Sequence, residues 1–88
     1  MKNERFYNIS VTHGVATLHV GWHDEHDEIM NVAQSFSIHT LSRMTRAEAN
    51  AVVNERMRRY ADEYNIKPVP PHVVAALLTL ALGEPPLA

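Results

Sequence analysis

Residues 7–12 and 15–22 alternate between apolar and polar side chains, which is the period of a half-buried β-strand. The apolar members of the two successive runs are Tyr7, Ile9, Val11, Ala16, Leu18, Val20 and Trp22. If His13 and Gly14 form a two-residue turn, apolar residues of one run face apolar residues of the other, and polar residues face polar ones. A register shift of one residue would destroy this match. The pattern therefore predicts a β-hairpin.

A second alternation follows a polar segment at residues 23–28. Val32, Gln34 and Phe36 alternate there with small polar residues, and Ile38 continues the series. We expect a third strand near residues 31–40, antiparallel to the second, because a connection of this length commonly joins two antiparallel strands.

The next segment has helical periodicity. Thr45 and Glu48 have the spacing of a capping box, in which each side chain bonds the backbone N–H of the other residue. Apolar residues then recur on one face, and Asn65 provides a stop before a proline-rich connection. The sequence predicts a helix over residues 45–65.

The last predicted helix spans residues 71–83, with Pro71 in its first turn and Gly83 at its end. It is apolar on all sides, which is typical of a helix that is buried all round. Because a three-stranded sheet and one helix cover only part of it, we expect a second copy of the chain to cover the rest. The expected dimer interface consists of Val74, Leu77, Leu78, Leu80 and Ala81. In the alternative, the helix lies centrally within one chain.

These elements predict an α+β fold: a three-stranded antiparallel β-meander followed by a long amphipathic helix and a short apolar C-terminal helix. A chain of 88 residues has room for one domain. Its parts are a sheet within residues 1–42, helices over 45–65 and 71–83, and a tail at 84–88.

Composition narrows the function classes. The chain has no cysteine, which excludes disulfides, thiolate metal sites and a thiol nucleophile, and indicates a reducing, cytoplasmic setting. The net charge of −2 gives no general attraction to nucleic acid or to a membrane surface. The longest apolar run, residues 73–82, is about half the ~20 residues of a membrane span. No glycine opens a helix to bind a nucleotide, and we expect no cofactor.

The polar segment between the second and third strands is a candidate partner site. Its acidic residues can steer the chain toward a basic surface, and the preceding tryptophan can serve as an anchor. These residues are Trp22, Asp24, Glu25, Asp27 and Glu28. His23 and His26 are weak candidates for a metal ion, since imidazole and carboxylate suit zinc or nickel. The alternative is a solvated hairpin loop.

Five arginines surround the long helix: Arg43, Arg46, Arg56, Arg58 and Arg59. They raise the alternative of a nucleic-acid-binding regulator. The last two have acidic neighbours one helical turn away, which is typical of a solvated mixed-charge face. Arg43 and Arg46 have no such neighbours, and we expect them to contact an acidic partner.

The polar face of the predicted sheet is a further candidate binding surface. It carries or borders His13, His19, His39, Asn8, Ser10, Thr17, Ser35 and Ser37. A Ser–His pair across strands would be needed for nucleophilic catalysis, but no aspartate lies in these strands to orient the histidine. We therefore expect a non-enzymatic protein-interaction module, homodimeric and of the kind found among phage and mobile-element accessory or inhibitor proteins. The alternatives are the nucleic-acid-binding regulator and a small metal- or ligand-binding protein.

Overall fold

The computed structural model describes residues 5–83 and confirms the α+β meander. The three strands are β1 (Arg5–Thr12), β2 (Val15–His23) and β3 (Ile29–Ser37), and they form an antiparallel sheet in the order β1-β2-β3. The helices are α1 (Ile38–Ser42), α2 (Arg46–Tyr64) and α3 (Pro71–Leu82). No helix within residues 5–83 is both long enough and apolar enough to cross a membrane.

The first hairpin has the predicted register. Tyr7 pairs with Val20 and Ile9 with Leu18, and the pairing continues to the turn. Both turn residues, His13 (φ 53°) and Gly14 (φ 77°), adopt left-handed backbone conformations. Two residues with positive φ suit the right-handed twist of the flanking strands, which is why a two-residue turn closes this hairpin.

The third strand ends earlier than the sequence predicted. It stops at Ser37, and residues 38–42 form α1 instead of continuing the sheet to residue 40. The hydroxyl of Ser37 accepts a hydrogen bond from the backbone N–H of Thr40 at 3.2 Å, so Ser37 caps the new helix. The side chain of Leu41 is buried in the core by this change of direction.

Helix α2 has the predicted cap and end. The backbone N–H of Glu48 donates to the Thr45 hydroxyl at 3.1 Å, and the backbone N–H of Thr45 donates to the Glu48 carboxylate at 2.9 Å. Asn65 ends the helix in the left-handed conformation, with φ 55°. The buried face of α2 consists of Ala49, Val53, Met57 and Ala61.

Helix α3 packs against the sheet and α2, and its inner side is part of the core. Val74, Leu77 and Leu78 are buried there, so these three belong to the interior of the single chain and are not a free surface for a second copy. The outer side of α3 carries alanines and Leu80, which is 60% exposed. Ala81 is half-buried. The helix is thus less exposed than its uniform hydrophobicity indicates, and a dimer through it stays a prediction.

Candidate binding surface on the open face of the sheet

The two faces of the sheet have different environments. Alternate residues of β2, beginning with Ala16 and Leu18, point toward the helices and are buried. The remaining residues of the three strands form the opposite surface, here called the open face. It consists of Phe6, Asn8, Ser10, Thr12, Val15, Thr17, His19, Gly21, His23, Ile29, Asn31, Ala33, Ser35 and Ser37.

Among the described strand residues 5–37, the open face carries no Asp, Glu, Lys or Arg. Charged residues make up 20% of the chain, so an even distribution would place about three of them among these fourteen positions. Most of the described charges lie instead on α2 and in the β2–β3 loop. The others are Arg43, Lys67 and Arg5, whose guanidinium donates to the backbone carbonyl of Lys67 at 2.7 Å. Loss of charge is a compositional mark of the centres of protein interfaces.

One end of the open face is apolar. The ring of Phe6 is 47% exposed and makes an edge-on contact with the ring of His23, with centroids 5.5 Å apart. His23 pairs in turn with Ile29, whose side chain is 71% exposed. Phe6 also lies opposite Gly21, which has no side chain to compete for the space. This group, Phe6, Gly21, His23 and Ile29, is called the apolar end.

The middle of the open face is polar and uncharged. Asn8 and Ala33 flank His19 from the two outer strands, and Ser10 and Ser35 flank Thr17. The hydroxyls of Thr17 and Ser35 lie 3.0 Å apart and share a hydrogen bond. Such side chains offer donors and acceptors to a partner at a lower desolvation cost than charged groups.

The Ser–His arrangement considered from the sequence is not assembled among residues 5–83. His19 lies opposite Asn8 and Ala33, while Ser35 bonds Thr17 and Ser37 caps α1. The other two histidines of the predicted face lie at its borders, His13 in the β1–β2 turn and His39 in α1.

The β2–β3 loop (residues 24–28) is organised by Asp24. One carboxylate oxygen of Asp24 accepts the backbone N–H of His26 at 2.8 Å and that of Glu28 at 2.9 Å. The bond from Glu28 is the main reason that the pKa of Asp24 lies below its ordinary value. Asp27 adopts the left-handed conformation with φ 65°, and the backbone N–H of Asp24 closes the loop on the carbonyl of Glu28. The loop is thus an ordered turn.

The β2–β3 loop (residues 24–28), called the acidic loop below, has exposed carboxylates beside the apolar end. Glu25, Asp27 and Glu28 are exposed, and this loop directly joins His23 to Ile29. His26 lies 3.6 Å from the Glu25 carboxylate, whereas His23 packs against Phe6. Among residues 5–83, no three His, Asp or Glu side chains are grouped so as to hold a metal ion.

Trp22 lies on the opposite side of the sheet from the open face. It points to the helix-covered side, is half-buried, and meets the ring of Tyr64 edge-on with centroids 6.1 Å apart. Tyr64 stacks on Tyr60 at 6.0 Å. Trp22 therefore packs against the core at this end of the sheet, and its role in partner binding stays a prediction.

Most of the arginines bond within the chain. Arg58 bonds Glu55 at 2.7 Å and Asp62 at 3.3 Å, and the Arg59 guanidinium lies 3.7 Å from Glu55. Two others contact residues that are distant in the sequence. Arg46 donates to the Gly83 carbonyl at 2.6 Å. Arg56 donates to the Gln34 side chain at 3.3 Å, and its guanidinium lies 5.1 Å from the centre of the Phe36 ring.

Arg43 differs from these four. Its side chain is exposed and forms no hydrogen bond or ion pair with any other residue in the described range 5–83. Arg46, by contrast, is taken up by the end of α3. Of the two arginines expected to contact an acidic partner, Arg43 is the one whose guanidinium is available.

The sequence pattern predicts the polar middle of the open face but not its apolar end. Phe6 precedes the alternating run that begins at Tyr7, and Ile29 precedes the predicted third strand. The signal that was available is the lack of charge at every second position of all three strands. Comparison of the chain with known protein families, curated proteins and solved structures found no match.

Proposed function

We propose that this protein is a non-enzymatic binding module that holds another protein on the open face of its sheet. The observation that carries the proposal is a solvent-facing sheet surface of fourteen described residues, ten of them exposed, without Asp, Glu, Lys or Arg. It has an apolar end and a hydroxyl- and amide-rich middle. Apolar anchors surrounded by uncharged polar groups are the composition of protein interfaces.

The chemistry of the surface indicates what kind of protein fits it. The apolar end lies beside the acidic loop, so a complementary surface has an apolar patch bordered by lysines or arginines. Carboxylates at such a border accelerate encounter more than they add affinity, because they remain solvated. A nucleic acid is a poorer fit, since its phosphates are bound by lysine and arginine and the described open face carries neither.

Binding alone is enough for an inhibitor or accessory factor. A small protein that covers the working surface of a larger one needs no catalytic group, and the accessory and inhibitor proteins of phages and other mobile elements include such proteins. We place this chain in that class of function as part of the proposal.

A matched pair of variants tests the proposal. Asn8→Lys places a charge in the middle of the open face, and Asn50→Lys makes the same change at an exposed position of α2. We expect Asn8→Lys to reduce the amount of partner captured from a lysate of the source cells at least tenfold, because the lysine loses its hydration in the interface. Asn50→Lys should capture as much partner as the unmodified protein, with or without nuclease.

Two results would overturn the proposal. One is equal capture by both variants, which would place the binding surface elsewhere. The other is complete loss of the captured material on nuclease treatment, which would favour the nucleic-acid alternative. Both variants should first be checked for unchanged thermal unfolding, because the two substituted side chains are exposed and contribute little to stability.

A further inference from the structure

Within residues 5–83, the outer edge of β3 has backbone groups that pair with no neighbouring strand and point away from the sheet. The backbone N–H of Ile38 donates to the carbonyl of Gly14 at 2.9 Å, which sets the alternation of the ladder between β2 and β3. In an antiparallel ladder every second residue bonds the neighbouring strand. Phe36 and the even-numbered residues before it therefore bond β2. The backbone groups of Ile29, Asn31, Ala33 and Ser35 point outward, and β3 is the last strand of the sheet.

The sequence of β3 itself has none of the features that commonly protect an edge strand against pairing. Edge strands of natural proteins are commonly short or carry lysine, proline or a bulge. β3 has nine residues, contains no charged residue and no proline, and pairs with β2 without interruption from Ile29 to Ser37. One outward carbonyl, that of Ala33, accepts a bond from the side chain of Gln34 at 2.9 Å. Arg56 also holds the amide oxygen of Gln34 at 3.3 Å, so pairing with another strand requires the bond from Gln34 to Ala33 to be exchanged.

We propose that a second copy of this chain pairs with the edge of β3. The two β3 strands run antiparallel about a two-fold axis at Ala33, which is the register that pairs all nine residues. Asn31 of each copy then lies opposite Ser35 of the other, and Ile29 opposite Ser37. The result is a six-stranded sheet, and pairing of this kind takes most of its affinity from main-chain hydrogen bonds.

The charges at the two ends of β3 favour a second copy as the occupant. Antiparallel pairing brings the acidic loop before Ile29 of one copy to the end of β3 in the other copy, where α1 begins. At the C-cap of α1 that end carries Arg43, whose exposed guanidinium has no partner among residues 5–83. The two-fold axis repeats this meeting of opposite charges, while the uncharged strand between them causes no like-charge repulsion.

The dimer would also enlarge the open face. Residues directly opposite each other on paired strands point to the same side of a sheet, so the open faces of the two copies become one continuous surface. The dimer does not depend on the proposed protein partner, because it uses the strand edge and not the face.

Mass in solution is the first test. Light scattering at ~100 μM should give twice the 9.9 kDa chain mass for the unmodified protein. Ala33→Lys brings two lysines together at the axis and should shift the protein to monomer, with at least a tenfold rise in the dimer dissociation constant. Ser10→Lys on the exposed face of β1 and Leu80→Asp on the outer side of α3 are controls that should remain dimeric.

A cross-link tests the register. The chain has no cysteine, so a single introduced thiol reports on one position alone. Directly opposed residues of a hydrogen-bonded pair have Cα atoms ~5.5 Å apart, within the span of a disulfide. Ala33→Cys should therefore form a covalent dimer on mild oxidation, whereas Ser10→Cys should not.

Three results would contradict the proposed dimer. A monomer at ~100 μM, an Ala33→Lys variant that stays dimeric, or a dimer lost in Leu80→Asp would each show that β3 is not the interface. The proposed function is tested separately, since Asn8→Lys leaves the β3 edge intact and Ala33→Lys is read by mass and not by partner capture.

Discussion

Phe6 lies directly opposite Gly21 in the first hairpin, and its ring covers the glycine. A Cβ atom built on Gly21 would lie 3.4 Å from Cδ2 of the Phe6 ring. Covering a strand glycine with an aromatic ring across the ladder compensates for the side chain that the glycine lacks. The same ring remains 47% exposed and contacts His23, so one residue both stabilises the hairpin and forms the apolar end of the open face.

Phe6→Ala should therefore have two effects. We expect a loss of about 0.5–1 kcal/mol in the free energy of unfolding, because the cross-strand contact is removed. We also expect weaker partner binding. The small loss of stability cannot cause this weakening, because nearly all of the variant remains folded. Urea unfolding measures the first effect and partner capture at matched folded concentration the second. Unchanged capture would remove Phe6 from the binding surface.

Truncation should destabilise the protein much more on the inner side of α3 than on its outer side. Leu77 is fully buried, and Leu77→Ala should lower the free energy of unfolding by about 2–5 kcal/mol, because it removes core contacts and leaves a cavity. Leu80 is 60% exposed, and Leu80→Ala should change it by about 0.5 kcal/mol or less. Thermal unfolding of the two variants checks this difference. Similar losses at both positions would mean that Leu80 is covered in solution.

Stability should fall in acid. Hydrogen bonds from the backbone of Glu28 to Asp24, from the backbone of Thr45 to Glu48 and from Arg58 to Glu55 each lower the pKa of a carboxyl group. A lowered folded-state pKa contributes stability that is fully present above the unfolded pKa and is lost as the pH falls through the folded one. The free energy of unfolding should therefore be level from pH 7 to about 5 and decrease below about 4.5.

Asp24→Asn isolates one part of this pH dependence. The amide oxygen can still accept the two backbone bonds of the loop, but it cannot be protonated in this range. The variant should therefore lose less stability between pH 5 and 3 than the unmodified protein, by urea unfolding at each pH. An equally steep decrease in Asp24→Asn would show that the loop carboxylate does not take part.

The cap of α2 supplies a further check. Thr45→Ala removes the hydroxyl that accepts the backbone N–H of Glu48, and should lower the free energy of unfolding by about 1 kcal/mol. Thr45→Ser keeps the acceptor and should be close to the unmodified protein. If the two variants are equally destabilised, the methyl group of Thr45 and not its hydroxyl matters there.

The parts of the fold that depend on local signals could be predicted from the sequence. The register of the first hairpin follows from matching apolar positions, and α2 follows from its capping box and periodicity. The end of β3 could not, because Ile38 continues the strand period and only the cap at Ser37 and the burial of Leu41 start α1. Nor could the inner side of α3 be predicted, because the hydrophobicity of this helix has no period and its exposed positions after the first turn, Ala75, Ala76 and Leu80, are also apolar.

The candidate site was also hard to predict, because it depends on residues that are distant in the sequence. Trp22 and the acidic loop are neighbours in sequence, but strand alternation sends the tryptophan to the covered side and Phe6 to the open one. Whether Trp22 or Phe6 faces solvent thus depends on which side of the sheet the helices cover. The position of the helices is not evident from the sequence of the strands. The uncharged character of the open face is a property of three strands together.

The most direct measurement of the central claim is photo-cross-linking from single introduced cysteines. A thiol-linked photoreactive group at Asn8→Cys lies in the middle of the open face, and the same group at Asn50→Cys lies on α2. The account predicts that the captured protein partner becomes attached at position 8 and not at position 50. Attachment at position 50 without attachment at position 8 would contradict it.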